Sequence, residues 1–162
     1  MKKKEIYLVL DNIRSRENVG SIFRTADATG VNKIYLCGIT PIPPHEKISK
    51  TALGAEMCVP WESYKQTWRL LDKLKKEGIN IVALERFDKF TASKLKIHQK
   101  NIFKYKVPKN KKIALVLGNE VKGISPKILK YCDEVVHIPM YGKKESLNVA
   151  VAFGIAAYLL NK

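Results

Sequence analysis

The sequence predicts an α/β fold: a parallel sheet flanked by helices on both faces. Two observations carry this. Short runs rich in Ile, Val, Leu and Tyr recur along the chain, continuously apolar rather than alternating, as strands buried on both faces are. Between them lie longer stretches with apolar residues at helical spacing. Strands that alternate with helices are the pattern of a parallel sheet with crossover connections.

The predicted strands, in order, are "IYLVL" (6–10), "KIYLCG" (33–38), "INIVALE" (79–85), "IALVLG" (113–118) and "EVVHIPM" (134–140), with "MCVPW" (57–61) as a short extra one. A helix is predicted over 18–29, where Val19, Ile22, Phe23 and Ala26 make one apolar face. Asn18 can cap it, and Gly30 suits its C-terminal stop. A second is predicted over 61–77, with Trp61, Tyr64, Trp68, Leu71 and Leu74 at helical spacing and Gly78 after it. The last runs from Val149 to Leu160 and is apolar almost all round, with Ser146 placed as its N-cap. No internal repeat or low-complexity linker interrupts the 162 residues, so one domain, 1–162, is expected.

Charge narrows the function. Thirty Lys and Arg stand against fifteen Asp and Glu, a net +15, which points to a polyanionic partner: nucleic acid or an acidic membrane surface. The membrane is disfavoured. The longest apolar run has twelve residues, against roughly 20 for a span. The basic head "MKKK" is followed by an apolar stretch that ends at Asp11, too early for a signal peptide. Cys37, Cys58 and Cys132 are odd in number and widely spaced, and His45, His98 and His137 are scattered. This predicts a reduced, cytoplasmic protein without a metal or a disulfide framework. Segment 89–112 holds nine lysines and no acid, interleaved with Phe90, Phe103 and Tyr105. It reads either as a solvated basic connection or as a surface where lysines meet RNA phosphates and aromatics stack on bases.

Three stretches carry candidate chemistry. In "NVGSIFRTADATGV" (18–31), a helix just past the first strand aims free backbone N–H groups over the sheet edge, an anion site that Gly20 would let a ligand approach. Arg24 lies beside the apolar face, and its plain reading is an ion pair with Asp27 or Glu17. "LVLGNEVKGIS" (115–125) nearly fits the G-x-x-x-x-G-K-[ST] phosphate loop through Gly118, Gly123 and Ser125. Ile124 stands where the lysine is needed and Glu120 is the wrong charge, so an NTPase is excluded, and no GxGxxG is present. What remains is a glycine turn at a strand's carboxyl end, where open α/β sheets bind ligands. "HIPMYGKKESLNVA" (137–150) places Ser146 and Asn148 at the mouth of the last helix.

Together, N-x-G-x-x-x-R-T-A, L-G-N-E-x-x-G and I-P-M-x-G-x-x-x-S-L-N-V-A, in this order, closely resemble the three signature motifs of the SpoU (TrmH-like) branch of the SPOUT RNA methyltransferases. The resemblance runs from about Asp11 to Leu160. It implies an α/β-knot whose C-terminal segment is threaded as a trefoil knot, an exception to unthreaded chains. It also implies S-adenosylmethionine as cofactor, and a homodimer packed through the last helix. The implied activity is methyl transfer to a ribose 2′-hydroxyl of structured RNA, tRNA or rRNA. On the matching positions, Arg24 is the implied catalytic residue, with Asn18, Glu120, Ser146 and Asn148 supporting the site. Leu84, Gly118, Ile138, Met140, Leu147 and Asn148 would hold the cofactor. An RNA-binding protein of the same fold without catalysis and, more distantly, a small-molecule methyltransferase are the rival readings.

Overall fold

The computed structural model describes residues 4–162, so the start of the basic head lies outside the described residues. Seven strands form one sheet: β1 (Ile6–Asp11), β2 (Lys33–Cys37), β3 (Trp61–Tyr64), β4 (Asn80–Leu84), β5 (Gln99–Asn101), β6 (Ile113–Leu117) and β7 (Glu134–His137). Their order is β3-β2-β1-β6-β4-β7-β5, and every pairing is parallel. Six helices accompany them: α1 (Arg16–Thr29), α2 (Glu46–Ala52), α3 (Thr67–Lys76), α4 (Lys89–Lys94), α5 (Pro126–Leu129) and α6 (Val149–Leu160).

The continuous apolar runs are explained by two cores, one on each face. Successive strand residues point to opposite sides. Ile6, Leu8 and Leu10 therefore join the core built with Ile22 and Phe23 of α1, Ile48 of α2 and Phe153 of α6. Val9 joins the other, with Leu70, Leu71 and Leu74 of α3 and Ile128 of α5. Both registers need apolar side chains, so β6 is buried at all five positions.

The five longer predicted strands hold to within a few residues, β5 was not predicted, and three other readings differ. Residues 57–61 are not a strand: a 3-10 turn (Ala55–Met57) precedes β3, which begins at Trp61. The single predicted helix over 61–77 is in fact this strand followed by α3. Trp61 and Tyr64 pair with Ile34 and Cys37 in the sheet and pack on opposite faces of it, but their three-residue spacing had mimicked a helical face. α1 also starts earlier than predicted. Ser15 is its cap, accepting from the Asn18 N–H, so Asn18 lies inside the first turn. Gly30 closes it in the left-handed conformation, as the sequence indicated.

Segment 89–112 is more ordered than a solvated connection. It contains α4 and the edge strand β5. Lys100 pairs with Glu134 at 2.5 Å, and the Tyr105 hydroxyl donates to Glu134 at 2.9 Å. Half-buried Tyr105 is thereby taken up by the protein, whereas Phe90 and Phe103 remain exposed.

Gly20 does not make room for a ligand. A Cβ there would sit 2.0 Å from the Thr51 hydroxyl oxygen and 2.3 Å from the Ile48 carbonyl, both on α2. The absent side chain lets α2 lie directly on α1. Gly20→Ala should therefore force the two helices apart and cost about 1–3 kcal/mol of stability, read by urea denaturation. A variant as stable as wild type would show that α2 yields freely.

Candidate functional site

Parallel strands bring their carboxyl ends to one edge, and the central position of β6 between β1 and β4 gathers four loops there. The loop after β6 is a tight turn. Asn119 Oδ1 accepts from the N–H groups of Val121 and Lys122 at 2.9 Å each, and the Gly123 N–H donates to the Asn119 carbonyl. Gly123 takes a left-handed φ of 67°, and a Cβ there would stand 2.4 Å from Glu85 Oε2. Glu85, just past β4, accepts from the Ile124 N–H at 3.0 Å and so pins the turn.

The turn delivers Glu120 to the start of α1. Its carboxylate accepts from the backbone N–H groups of Arg14 (2.9 Å) and Ser15 (3.0 Å), and from Asn18 Nδ2 (3.3 Å). The predicted anion site at this helix end is thus real, but the anion is the protein's own carboxylate. Asn18 Oδ1 accepts in turn from Asn148 Nδ2 at 3.1 Å. Asn148 Oδ1 accepts from the N–H groups of Ala150 (2.9 Å) and Val151 (3.3 Å), so Asn148, not Ser146, caps α6. The donors and acceptors form one chain: Glu120 to Asn18 to Asn148 to α6.

Partial burial pushes the Glu120 carboxyl up. The Ser15 and Arg14 N–H groups and the Asn18 amide outweigh this and leave it below the usual carboxylate range.

A cleft of about 470 Å³ opens beside this chain. All six predicted cofactor residues (Leu84, Gly118, Ile138, Met140, Leu147 and Asn148) line it, as do Asn18, Glu120 and Ser146. Arg24 does not. It is exposed on α1, with no ion pair to Asp27 or Glu17 among the described residues. Three charged groups in the cleft had not been singled out from sequence: Glu85, Arg86 and Glu145. Arg86 Nη1 donates to the Glu145 carbonyl at 3.3 Å. Glu85 could have been found, because the predicted strand ended on it and strand carboxyl ends are where such sheets bind.

The charge of this cleft is the reverse of the chain's. Glu85, Glu120 and Glu145 converge on it with Arg86 as the one cation, although the protein carries +15 overall. Such a lining favours a cationic ligand. Its volume lies within the roughly 300–1,000 Å³ typical of small-molecule sites. No group of three or more His, Cys, Asp or Glu that could hold a metal occurs among the described residues.

Known proteins resemble this chain over nearly its whole length. The profile of the SpoU rRNA Methylase family matches residues 5–158. A tRNA (guanosine(18)-2′-O)-methyltransferase of Aquifex aeolicus is 32% identical over 97% of this chain and 69% of its own. A 23S rRNA (guanosine-2′-O-)-methyltransferase of Neisseria meningitidis is 30% identical over 96% of this chain and 57% of its own. The crystal structure of an AdoMet-bound rRNA methyltransferase from Sinorhizobium meliloti superposes with a TM-score of 0.85 at 26% identity, over 98% of this chain and 56% of that one. The chain spans little more than half the length of most of the curated relatives it matches.

Glu120→Ala should lower stability by about 1 kcal/mol near neutral pH, the size of a lost helix cap. Because the folded carboxyl is held below its unfolded value, its contribution is full above the unfolded pKa and fades as pH falls through the folded one. The gap between wild type and variant, followed by urea denaturation, should therefore narrow below about pH 4. A gap independent of pH would remove the ionised carboxylate from the account.

Proposed function

The chain belongs to the SpoU rRNA Methylase family, and on that premise we propose that it is an S-adenosylmethionine-dependent methyltransferase acting on a ribose 2′-hydroxyl of tRNA or rRNA. The observation that carries this reading is the acidic cleft at the sheet's carboxyl edge in a strongly basic protein. S-adenosylmethionine supplies an electrophilic methyl group on a positively charged sulfonium, and the cleft's lining suits such a cation.

In this reading the backbone around Gly118, Ile138 and Leu147 holds the adenosine part, with Leu84 and Met140 as apolar walls. Asn18, Glu120 and Asn148 fix the two helix ends that border it, and Ser146 offers a free hydroxyl at its rim. Holding two reactants in line is itself a large part of such catalysis. In the transfer the ribose 2′-oxygen would take the methyl group while its proton passes to a nearby RNA phosphate, and negative charge would develop on the oxygen as that proton leaves. A guanidinium does not serve as a proton acceptor in proteins, so the role read for Arg24 is to stabilise that oxygen.

Arg24 follows Asn18 by six residues, which carries it about 9 Å along α1 and about 240° around it. That position supports a homodimer, in which a second copy brings its own α1 to the cleft. α6 offers the surface. Val151 and Tyr158, seven residues apart on one face, are 52% and 62% exposed, and Leu147 extends the stripe. Phe153, Ala156 and Ala157 are not part of it, because they are buried in the protomer's own core.

We extend the proposal to a trefoil-knotted C-terminal segment and to residues 1–162 as one SPOUT domain. The joining of the loops after β4, β6 and β7 in one cleft, and the single sheet, support these readings. We likewise place the protein in the cytoplasm, in keeping with its three free cysteines. Among the described residues no helix is long and apolar enough to cross a membrane.

Arg24→Ala should cut methyl transfer to bulk tRNA or rRNA by about 100- to 1,000-fold while leaving S-adenosylmethionine affinity, measured by calorimetry, nearly unchanged. Activity within about threefold of wild type would take Arg24 out of the reaction. Tyr158→Glu should turn the dimer into a folded monomer in sedimentation velocity, since it charges the exposed apolar stripe. A wild type that sediments as a monomer at micromolar concentration would defeat the interface.

A further inference from the structure

A second cleft lies beside the first and has the opposite charge. It encloses about 660 Å³ at the carboxyl ends of β1, β2 and β3. The turn after β6 is the partition between the two, and Asn119, Val121 and Gly123 line both. Four cations rim the second cleft: Arg14, Lys65, Lys122 and Lys127. All four are exposed, and none has a carboxylate within ion-pair distance among the described residues. This is unlike Lys33, Lys75, Lys76, Lys100 and Lys112 elsewhere, each of which is paired. The cleft's one acid, Asp11, is 4% exposed and accepts from the Thr67 hydroxyl at 2.5 Å. It sits in the floor and leaves the rim wholly basic. Lys127 is already placed, its ammonium 5.4 Å from the centre of the Trp68 ring.

We infer that this second cleft holds the sugar-phosphate backbone of the RNA immediately beside the nucleotide that enters the acidic cleft. The inference rests on the reading of the chain as an RNA methyltransferase. Its own support is the division of charge. A carboxylate-lined cleft repels phosphate, so RNA reaching a ribose into it must keep its backbone elsewhere. The nearest wall without negative charge at the surface is the one across the shared turn. Four unpaired cations there can neutralise phosphates at little cost, because no ion pair must first be broken. Lys122 lies on the shared turn itself, which links backbone binding on one side to the placement of Glu120 on the other.

The test compares Lys65→Ala/Lys127→Ala with Lys47→Ala/Lys50→Ala, a control pair on exposed positions of α2 with the same loss of charge. The probe is a fluorescein-labelled RNA stem-loop, followed by anisotropy over a series of salt concentrations. The cleft variant should bind about tenfold more weakly, and its salt slope should fall by roughly 1.4 to 1.8, the value for two lost phosphate contacts. The control should change much less, and S-adenosylmethionine affinity should be the same in both. Equal losses in the two variants, or an unchanged slope in the cleft variant, would overturn the inference.

A second measurement stands apart from lysine substitution. Trp61→Phe leaves Trp68 as the sole tryptophan, and its emission should change as the stem-loop saturates and draws Lys127 from the ring. Constant emission through saturation would overturn the inference as well. If the stem-loop binds in this cleft but wild type methylates no bulk tRNA or rRNA, the enzymatic reading falls and the backbone site stands.

Discussion

The Glu120 carboxylate holds the site together. It fills the N-terminal end of α1, an electropositive position that would otherwise attract a ligand's anion. It does so from a turn 105 residues beyond Ser15, so the first strand's helix and the sixth strand's loop are fixed to each other. Asn18 and Asn148 then carry the same constraint to the start of α6. Neither asparagine is free to rotate its amide: Asn18 must donate to a carboxylate and accept from an amide, and Asn148 must accept from two backbone N–H groups. Three segments far apart in sequence therefore share one hydrogen-bonded line. The cleft exists because that line holds its walls in register.

A consequence is electrostatic. A carboxylate tied up in this way remains charged, and with Glu85 and Glu145 it makes a negative cleft within a protein of net charge +15. The basic rim across the turn after β6 has the complementary sign. A cationic cofactor and a polyanionic substrate would thus be sorted into neighbouring clefts separated by one short loop. Glycines make that loop possible. At Gly118 a Cβ would lie 2.5 Å from the Gly123 carbonyl carbon, and at Gly123 it would meet the Glu85 carboxylate. The two walls approach too closely for any side chain.

Much of this was legible in the sequence, for identifiable reasons. Buried parallel strands advertise themselves as unbroken apolar runs, and β1, β2, β4 and β6 were read nearly to the residue. The cleft's predicted lining came from motif resemblance, and its members do converge. Other features were hidden because they depend on tertiary partners. Whether Ser15 or Asn18 caps α1, or Ser146 or Asn148 caps α6, turns on a shift of two or three residues that residue type does not decide. Gly20 looked like a ligand's approach because the sequence does not show that α2 passes over it. Trp61 and Tyr64 fitted a helical period only because Trp68 and Leu71 follow at similar spacing. The apolar character of α6 was plain, but its division between a core face at Phe153 and an exposed face at Tyr158 required the position of α1.

The most direct measurement is mass spectrometry of nucleosides from RNA incubated with the protein and S-adenosylmethionine carrying a deuterated methyl group. The account predicts label on the ribose, as a 2′-O-methyl nucleoside that appears only when the protein is present. Label on a base, or RNA that gains no label while the protein binds both cofactor and RNA, would contradict it.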